Sequence, residues 1–197
     1  GLLADMERCN WQDHFAISNE GVDEIWISPH YEFAYNYYKT YYHTQNVFEL
    51  PYIWSPKYVD IHEKIWNKIN KTCYYSPNEE KNIGILEPNL NITKHCLPCI
   101  MIAEEFFSNI NQDSFNKVTS YCSAKFLDKK YFKSLMWNLN LTKNNKIEFK
   151  PRIKISQIFT DMSNVFISNQ LLNSLNYTYL EALHFNFPLV HNSDTIK

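Results

Sequence analysis

The residues best suited to chemistry gather in one run near the end of the chain, Asn173-Ser174-Leu175-Asn176-Tyr177-Thr178-Tyr179-Leu180-Glu181, followed by Pro188-Leu189-Val190-His191-Asn192-Ser193. Asn176 is a good N-cap, the first amides behind it face outward, and the helix dipole favours an anion at that end. Glu181 then stands about 7.5 Å further along the axis, at roughly 1.5 Å per residue. Asn186 can adopt the left-handed conformation at the helix end that glycine usually takes. A second candidate is Cys96-Leu97-Pro98-Cys99 at the start of an expected helix, where a helix dipole lowers a thiol pKa and a thiol oxidoreductase would keep its dithiol. No tryptophan precedes it and the strand before it ends early, at Leu86, so Cys99 reads better as a small buried apolar residue. His95, Cys96 and Cys99 make a single knuckle without the second pair that a zinc site needs. His30 follows a strand and could face a cleft. No HExxH, GxSxG or Asp-x-Asp occurs, which argues against zinc peptidases, α/β-hydrolases and metal-dependent sugar transferases and favours chemistry without a metal.

The elements that must position these groups alternate. Residues 22–28 read as a strand ended by Pro29, residues 30–44 as a helix with tyrosines at core spacing, and Val47 to Leu50 as a strand ended by Pro51. The tyrosines could also form a stacking platform, but their spacing favours core. A helix over 57–70 and a polar stretch at 76–81 separate this unit from a second one. There, strands at 82–86, 115–121, 146–149, 164–168 and 188–191 alternate with helices at 93–108, 128–138, 153–161 and 177–185. That rhythm predicts an α/β fold, a Rossmann-like parallel sheet with helices on both faces. Its ligand belongs beyond the carboxyl ends of the strands, in the loops after Leu86 and Ser168.

Composition narrows the function. The 197 residues carry 19 basic and 21 acidic side chains, a net charge of -2, with the lysines dispersed, so nucleic acid is not the expected partner. Only three glycines occur, too few for a phosphate-wrapping glycine loop of the Walker or dinucleotide type. No apolar run approaches the roughly 18 to 20 residues of a membrane span, and the first residues lack the charged and apolar regions of an export signal, which makes a cytoplasmic setting the default expectation. Five cysteines form an odd set, read as reduced thiols.

The run from Asn173 to Ser193 resembles the part of GT-B-fold glycosyltransferases where a loop and a helix N-terminus meet the donor diphosphate and a glutamate one turn on meets the ribose. Further matches, to a mainly bacterial and little-characterised group of GT-B-like proteins, are Val22 to Trp26 with Pro29-His30-Tyr31, Pro51-Tyr52-Ile53-Trp54-Ser55-Pro56, and Glu87-Pro88-Asn89 with Lys94. The resemblance implies a glycosyltransferase, here incomplete. Residues 1–56 would be the end of an N-terminal Rossmann-like domain, 57–81 a crossing segment, and 82–197 a nucleotide-sugar-binding domain truncated at its C-terminus. It implies Glu181 and Lys94 as catalytic residues and Asn89, Lys94, Asn173, Asn176, Tyr177, Glu181, His191, Asn192 and Ser193 as donor contacts. The substrate would be a nucleotide sugar, with a glycan, lipid or small-molecule acceptor and no further cofactor. Asn173 stands where the group has the first of two glutamates, Asn89 where it has an arginine, and His95 where it has a glycine. A non-catalytic GT-B-like binding or interaction module is the alternative. A parallel sheet ending near Ser193 would expose a strand edge, so association into homo-oligomers is expected.

Overall fold

The computed structural model describes residues 22–196. Arg8, Cys9 and the beginning of the first expected domain lie outside the described residues. The described chain opens with β1 (Ile25–Ile27), a 3₁₀ segment (Pro29–Ala34) running into α1 (Tyr35–Tyr41), and β2 (Val47–Glu49), which pairs in parallel with β1. Pro29 ends the strand and sits in the first helical turn, where its missing N–H is no loss. After α2 (Lys57–Lys68) come β3 (Asn82–Ile85), α3 (Cys96–Asn109), β4 (Lys117–Ser120), α4 (Lys130–Trp137) and α5 (Asn140–Lys143). The chain continues through β5 (Ile147–Phe149), α6 (Ile155–Asp161), β6 (Val165–Ile167), α7 (Tyr177–His184) and β7 (Leu189–Val190). The expected alternation is present, and α5 is the addition.

The second sheet has the order β5-β4-β3-β6-β7 with every pairing parallel. The chain steps outward from β3 to β5, then returns to the other side of β3 with β6. The reversal puts the topological switch point between β3 and β6, so the loops leaving their carboxyl ends diverge and open a crevice. Strand periodicity assigns the two faces. Ile83, Ile85, Val118 and Ile167 pack with Cys96, Cys99, Ile100, Ala103 and Phe107 of α3 and with Phe132, Met136 and Leu141 on one side. Phe166 and the flanking Leu86 and Leu189 pack with α2, α6 and α7 on the other, through Val59, Trp66, Ile158, Phe159, Ala182 and Phe185. The crossing segment is part of this packing, because Trp66 and Cys73 are buried within it. Gly84 belongs to the same face: a Cβ there would come within 2.7 Å of the Phe166 ring and 2.9 Å of Ser163 Cβ.

The tyrosine spacing of the first unit predicts core, and here the structure differs. No residue of α1 is buried. Tyr37 and Tyr41 instead stack on each other, with ring centroids 5.8 Å apart. Among the described residues of this unit the buried apolar side chains are Ile27, Ala34 and Val47. Scarcity of glycine is met by asparagine: Asn70, Asn89, Asn145 and Asn186 all have φ between 54° and 60°, a region asparagine tolerates better than most residues.

Candidate functional site

Two loops form the switch point, residues 86–95 after β3 and 168–176 after β6. They are joined by an antiparallel bridge between Lys94 and Gln170 and by the Leu171 N–H donating to the Thr93 carbonyl at 2.8 Å. Asn89 and Leu172, and Cys122 in the loop after β4, hold left-handed backbone with φ of 54° to 58°. Such strain in non-glycine residues concentrates where a loop is held for a purpose. Asn89 is buried; its carbonyl oxygen accepts from the Cys96 N–H at 2.8 Å and its amide donates to the Glu87 carbonyl at 2.9 Å. It therefore positions the start of α3.

The loop after β6 is clamped from the far side. Gln170 N–H donates to Asn192 Oδ1 at 2.9 Å, and the Asn192 amide donates back to the Gln170 carbonyl at 3.3 Å. Ser193 Oγ donates to the Ser174 carbonyl, its own N–H donates to His191 Nδ1, and the His191 ring lies 5.5 Å from that of Tyr179. Asn173 is buried, with its amide donating to Gln170 Oε1 at 2.6 Å. The structure thus gives Asn173, His191, Asn192 and Ser193 hydrogen bonds that shape the loop. At its end Asn176 caps α7 by accepting from the Thr178 N–H at 3.1 Å, as its residue type predicts.

Beside these loops lies a cleft of about 590 Å³. Lys94, Asn176, Thr178 and Glu181 line it together with Arg152 and Lys154, from the segment between β5 and α6. Leu86, Tyr121, Ile155 and Ile158 supply apolar wall. Three cations against one carboxylate make the cleft suited to an anion that also has an apolar part. Lys94 and Glu181, both named from the sequence, thus share one cavity with Asn176. Arg152 and Lys154 were not among the residues singled out. Arg152 is one of only two arginines in the chain, directly after Pro151 at the end of an expected strand, and that position was the available signal.

The electrostatics centre on Glu87, which is 0 % exposed. Its Oε1 accepts from Ser168 Oγ and from the Asn169 N–H, while Oε2 has no hydrogen-bond partner. Ser168 Oγ also lies 2.8 Å from the Tyr179 hydroxyl. Each hydroxyl has one proton, so with the serine donating to Glu87, the tyrosine donates to the serine. Burial pushes the Glu87 carboxyl up to about 7, partly offset by these bonds, by Gln170 and by the charge of Lys94. Burial lowers the Lys94 ammonium and Glu87 acts in the opposite sense. Burial also raises the Glu181 carboxyl.

The first unit reaches the same place. His30, its value lowered by burial and by Lys94, has a buried Nδ1 without a hydrogen-bond partner. The Tyr31 hydroxyl donates to Asn173 Oδ1 at 3.5 Å, and Tyr52 stacks on Tyr177 with centroids 5.1 Å apart. The Tyr177 hydroxyl donates to the Ile53 carbonyl at 3.3 Å. Tyr52 is pushed up to about 12 by burial and then by Tyr177, Glu181 and Tyr31.

The dithiol reading receives no support. Cys96 and Cys99 are free and fully buried, and burial pushes Cys96 up to about 11 and Cys99 higher still. A thiol held protonated in the core is a poor nucleophile, and the dipole of α3 does not outweigh its desolvation. Among the described residues no helix is long and apolar enough to cross a membrane.

Fold and cleft together define a parallel α/β protein with an anion-suited cavity at its switch point. Over residues 9–197 the chain matches, and belongs to, the family described as protein of unknown function (DUF2827). No curated protein matches it.

Proposed function

We propose that residues 82–197 are the donor-binding unit of a GT-B-type glycosyltransferase that takes a nucleotide-diphosphate sugar and transfers the sugar to a glycan, lipid or small-molecule acceptor. One observation carries the reading: Lys94, Glu181 and the capped start of α7 line a single cleft at the switch point, together with Arg152 and Lys154. In this reading the diphosphate lies against Lys94 and the first turn of α7. Those groups stabilise the charge that develops on the departing diphosphate, which is worth a few kcal/mol where water is excluded. Glu181, one turn further on, accepts hydrogen bonds from ribose hydroxyls. Asn89, Asn173, His191, Asn192 and Ser193 keep the two loops in place, and Tyr177 joins the site to the first unit.

A binding module that does not transfer sugar is the second reading. It is favoured by Asn89 and Asn173, which occupy the positions of the arginine and the first glutamate of the resembled group and spend their amides on internal hydrogen bonds. A thermal-shift screen with UDP, GDP, ADP, TDP and CDP, with and without Mg²⁺, tests both. At a hundredfold excess over Kd one nucleotide is expected to raise the melting temperature by about 5 °C or more, without Mg²⁺ and not in Glu181→Ala or Lys94→Ala. Silence with all five sinks donor binding; a shift without hydrolysis or transfer of the matching nucleotide sugar leaves the binding module.

A further inference from the structure

The outer surface of α4 takes no part in the core. Phe132 and Met136 turn inward and are buried with Val118 and Leu141, which fixes the helix on the sheet. Outward, Lys130, Lys133, Ser134 and Trp137 follow the i, i+3, i+4, i+7 spacing of a single stripe, and all four are exposed. Tyr131 flanks the stripe, and Leu127 is exposed just before the helix. Exposure of 78 % at Tyr131 and 65 % at Trp137 leaves most of two large rings in water. The Lys133 ammonium lies 5.5 Å from the centroid of the Trp137 ring. Charge is segregated in the same place: residues 125–138 hold four lysines and one acid, Asp128, in a chain whose net charge is -2. Among the described residues no carboxylate lies within 4.0 Å of the Lys129, Lys130 or Lys133 ammonium.

We propose that this face docks the protein on a bilayer containing anionic lipid, with Tyr131 and Trp137 at headgroup depth and Lys129, Lys130 and Lys133 on the lipid phosphates. Tyrosine and tryptophan suit that depth because one end of the ring is apolar and the other wet, and lysine lays its stem along the apolar layer while its ammonium stays among the phosphates. Charge complementarity chooses the occupant. A second copy docked about a two-fold axis through α4 would set the lysine stripe against itself. The outer face of a helix is convex and offers a peptide no groove. A nucleic acid would engage the lysines and leave Tyr131 and Trp137 without an apolar partner. The docking does not rest on the donor reading, but one consequence does. The loop that leads into α4 begins with Tyr121 and Cys122, which line the cleft. A docked protein therefore keeps the cleft within one loop of the bilayer, and if that cleft holds the donor, the acceptor is the lipid among the three classes named above.

The test is co-sedimentation of the whole chain with vesicles of phosphatidylcholine alone and with about one third phosphatidylglycerol added. Binding is expected to the anionic vesicles and not to the neutral ones, and it is lost at about 1 M salt, where the screening length falls to about 3 Å. Lys130→Gln combined with Lys133→Gln weakens binding by about 25-fold, at about fivefold per lysine. Brominated lipid in the anionic vesicles quenches tryptophan fluorescence in the wild type, and in Trp137→Phe, a substitution that keeps a ring on the surface, most of that quenching disappears. Equal binding to both kinds of vesicle, binding to neither, undiminished binding in the lysine variant or unchanged quenching in Trp137→Phe overturns the inference. So does a dimer in solution that Trp137→Phe dissociates while vesicles bind nothing, which gives the face to a second copy. Should the lysine variant fail to fold, the salt series and the quenching decide. Vesicle binding by a protein that no nucleotide stabilises upholds the docking and removes the donor reading; stabilisation by UDP without vesicle binding does the reverse.

Discussion

Glu87 carries a carboxyl with no exposure at the carboxyl end of a central strand, and its value of about 7 stands above the 4.5 of an ordinary glutamate. A group that binds its proton more tightly when folded than when unfolded makes folding favour acid. Below the unfolded value both states are protonated and there is no penalty; between about 4.5 and 7 the penalty grows, and above 7 it is complete. At 1.36 kcal/mol per unit the full effect is about 3 kcal/mol. Chemical denaturation at pH 5 and pH 8 should therefore find the wild type losing stability relative to Glu87→Gln as pH rises, by up to that amount. A difference between the two proteins that does not change with pH would show that Glu87 titrates normally. Sequence reading reached the site unevenly at this scale. Lys94 and Glu181 are named through the resemblance to GT-B glycosyltransferases, in which a cation after the first strand of this domain and a glutamate one turn into the helix meet the donor. Glu87 was quoted only as part of a matching run, since a single sequence does not reveal which carboxylate is buried.

Among the described residues seven non-glycine residues hold left-handed backbone, four of them asparagines, and Asn70, Asn145 and Asn186 show how helices end here without the usual glycine. The start of α7 shows how an element makes a site. Asn176 supplies the cap, and Asn176→Ala removes the bond to the Thr178 N–H at a cost of about 1 kcal/mol. Asn176→Asp separates cap from ligand: a carboxylate still accepts from that N–H and suits the helix dipole, but it repels an anion in the cleft. Melting temperature should fall in the alanine variant and hold in the aspartate variant, while UDP-induced stabilisation falls in both. Unchanged stabilisation by UDP in Asn176→Asp would place the diphosphate away from α7. The elements themselves were legible because apolar periodicity switches between two and 3.6 residues, and Pro29, Pro51 and Pro188 punctuate it. Each expected strand and helix of the parallel sheet has its counterpart, usually shorter by a residue or two at its ends. The four residues of α5 are too short for any periodicity to appear. The tyrosines of α1 have helical spacing without burial, because spacing reports a common face and not what covers it.

The two units of the molecule are unequal. The five-stranded sheet has helices on both faces and a core on each, whereas among the described residues β1 and β2 form a two-stranded parallel sheet with the Trp26 and Phe48 side chains exposed. A sheet of two strands is marginal by itself and needs a surface to pack on. Three contacts that join it to the larger unit lie at the site, Tyr52 on Tyr177, the Tyr177 hydroxyl on the Ile53 carbonyl, and Tyr31 on Asn173, while Trp54 packs on His184 further along. Aromatic pairs of this kind contribute about 0.5–1.5 kcal/mol beyond the area they bury. Tyr52→Ala should accordingly loosen the first unit and leave the second intact. In hydrogen exchange, the amides of Ile25–Ile27 and Val47–Glu49 are expected to lose protection by roughly tenfold, while those of Asn82–Ile85 and Val165–Ile167 keep theirs. Equal loss in both sheets would mean that the units unfold as one, and no loss in either would mean that the tyrosine stack does not hold them together. If donor binding orders the Asn173–Tyr177 loop, the same coupling runs in reverse. UDP should then raise protection in β1 and β2 of the wild type, with a smaller gain in Tyr52→Ala, because the stack is one of the routes by which the loop meets the first unit, beside Tyr31 on Asn173 and Tyr177 on the Ile53 carbonyl.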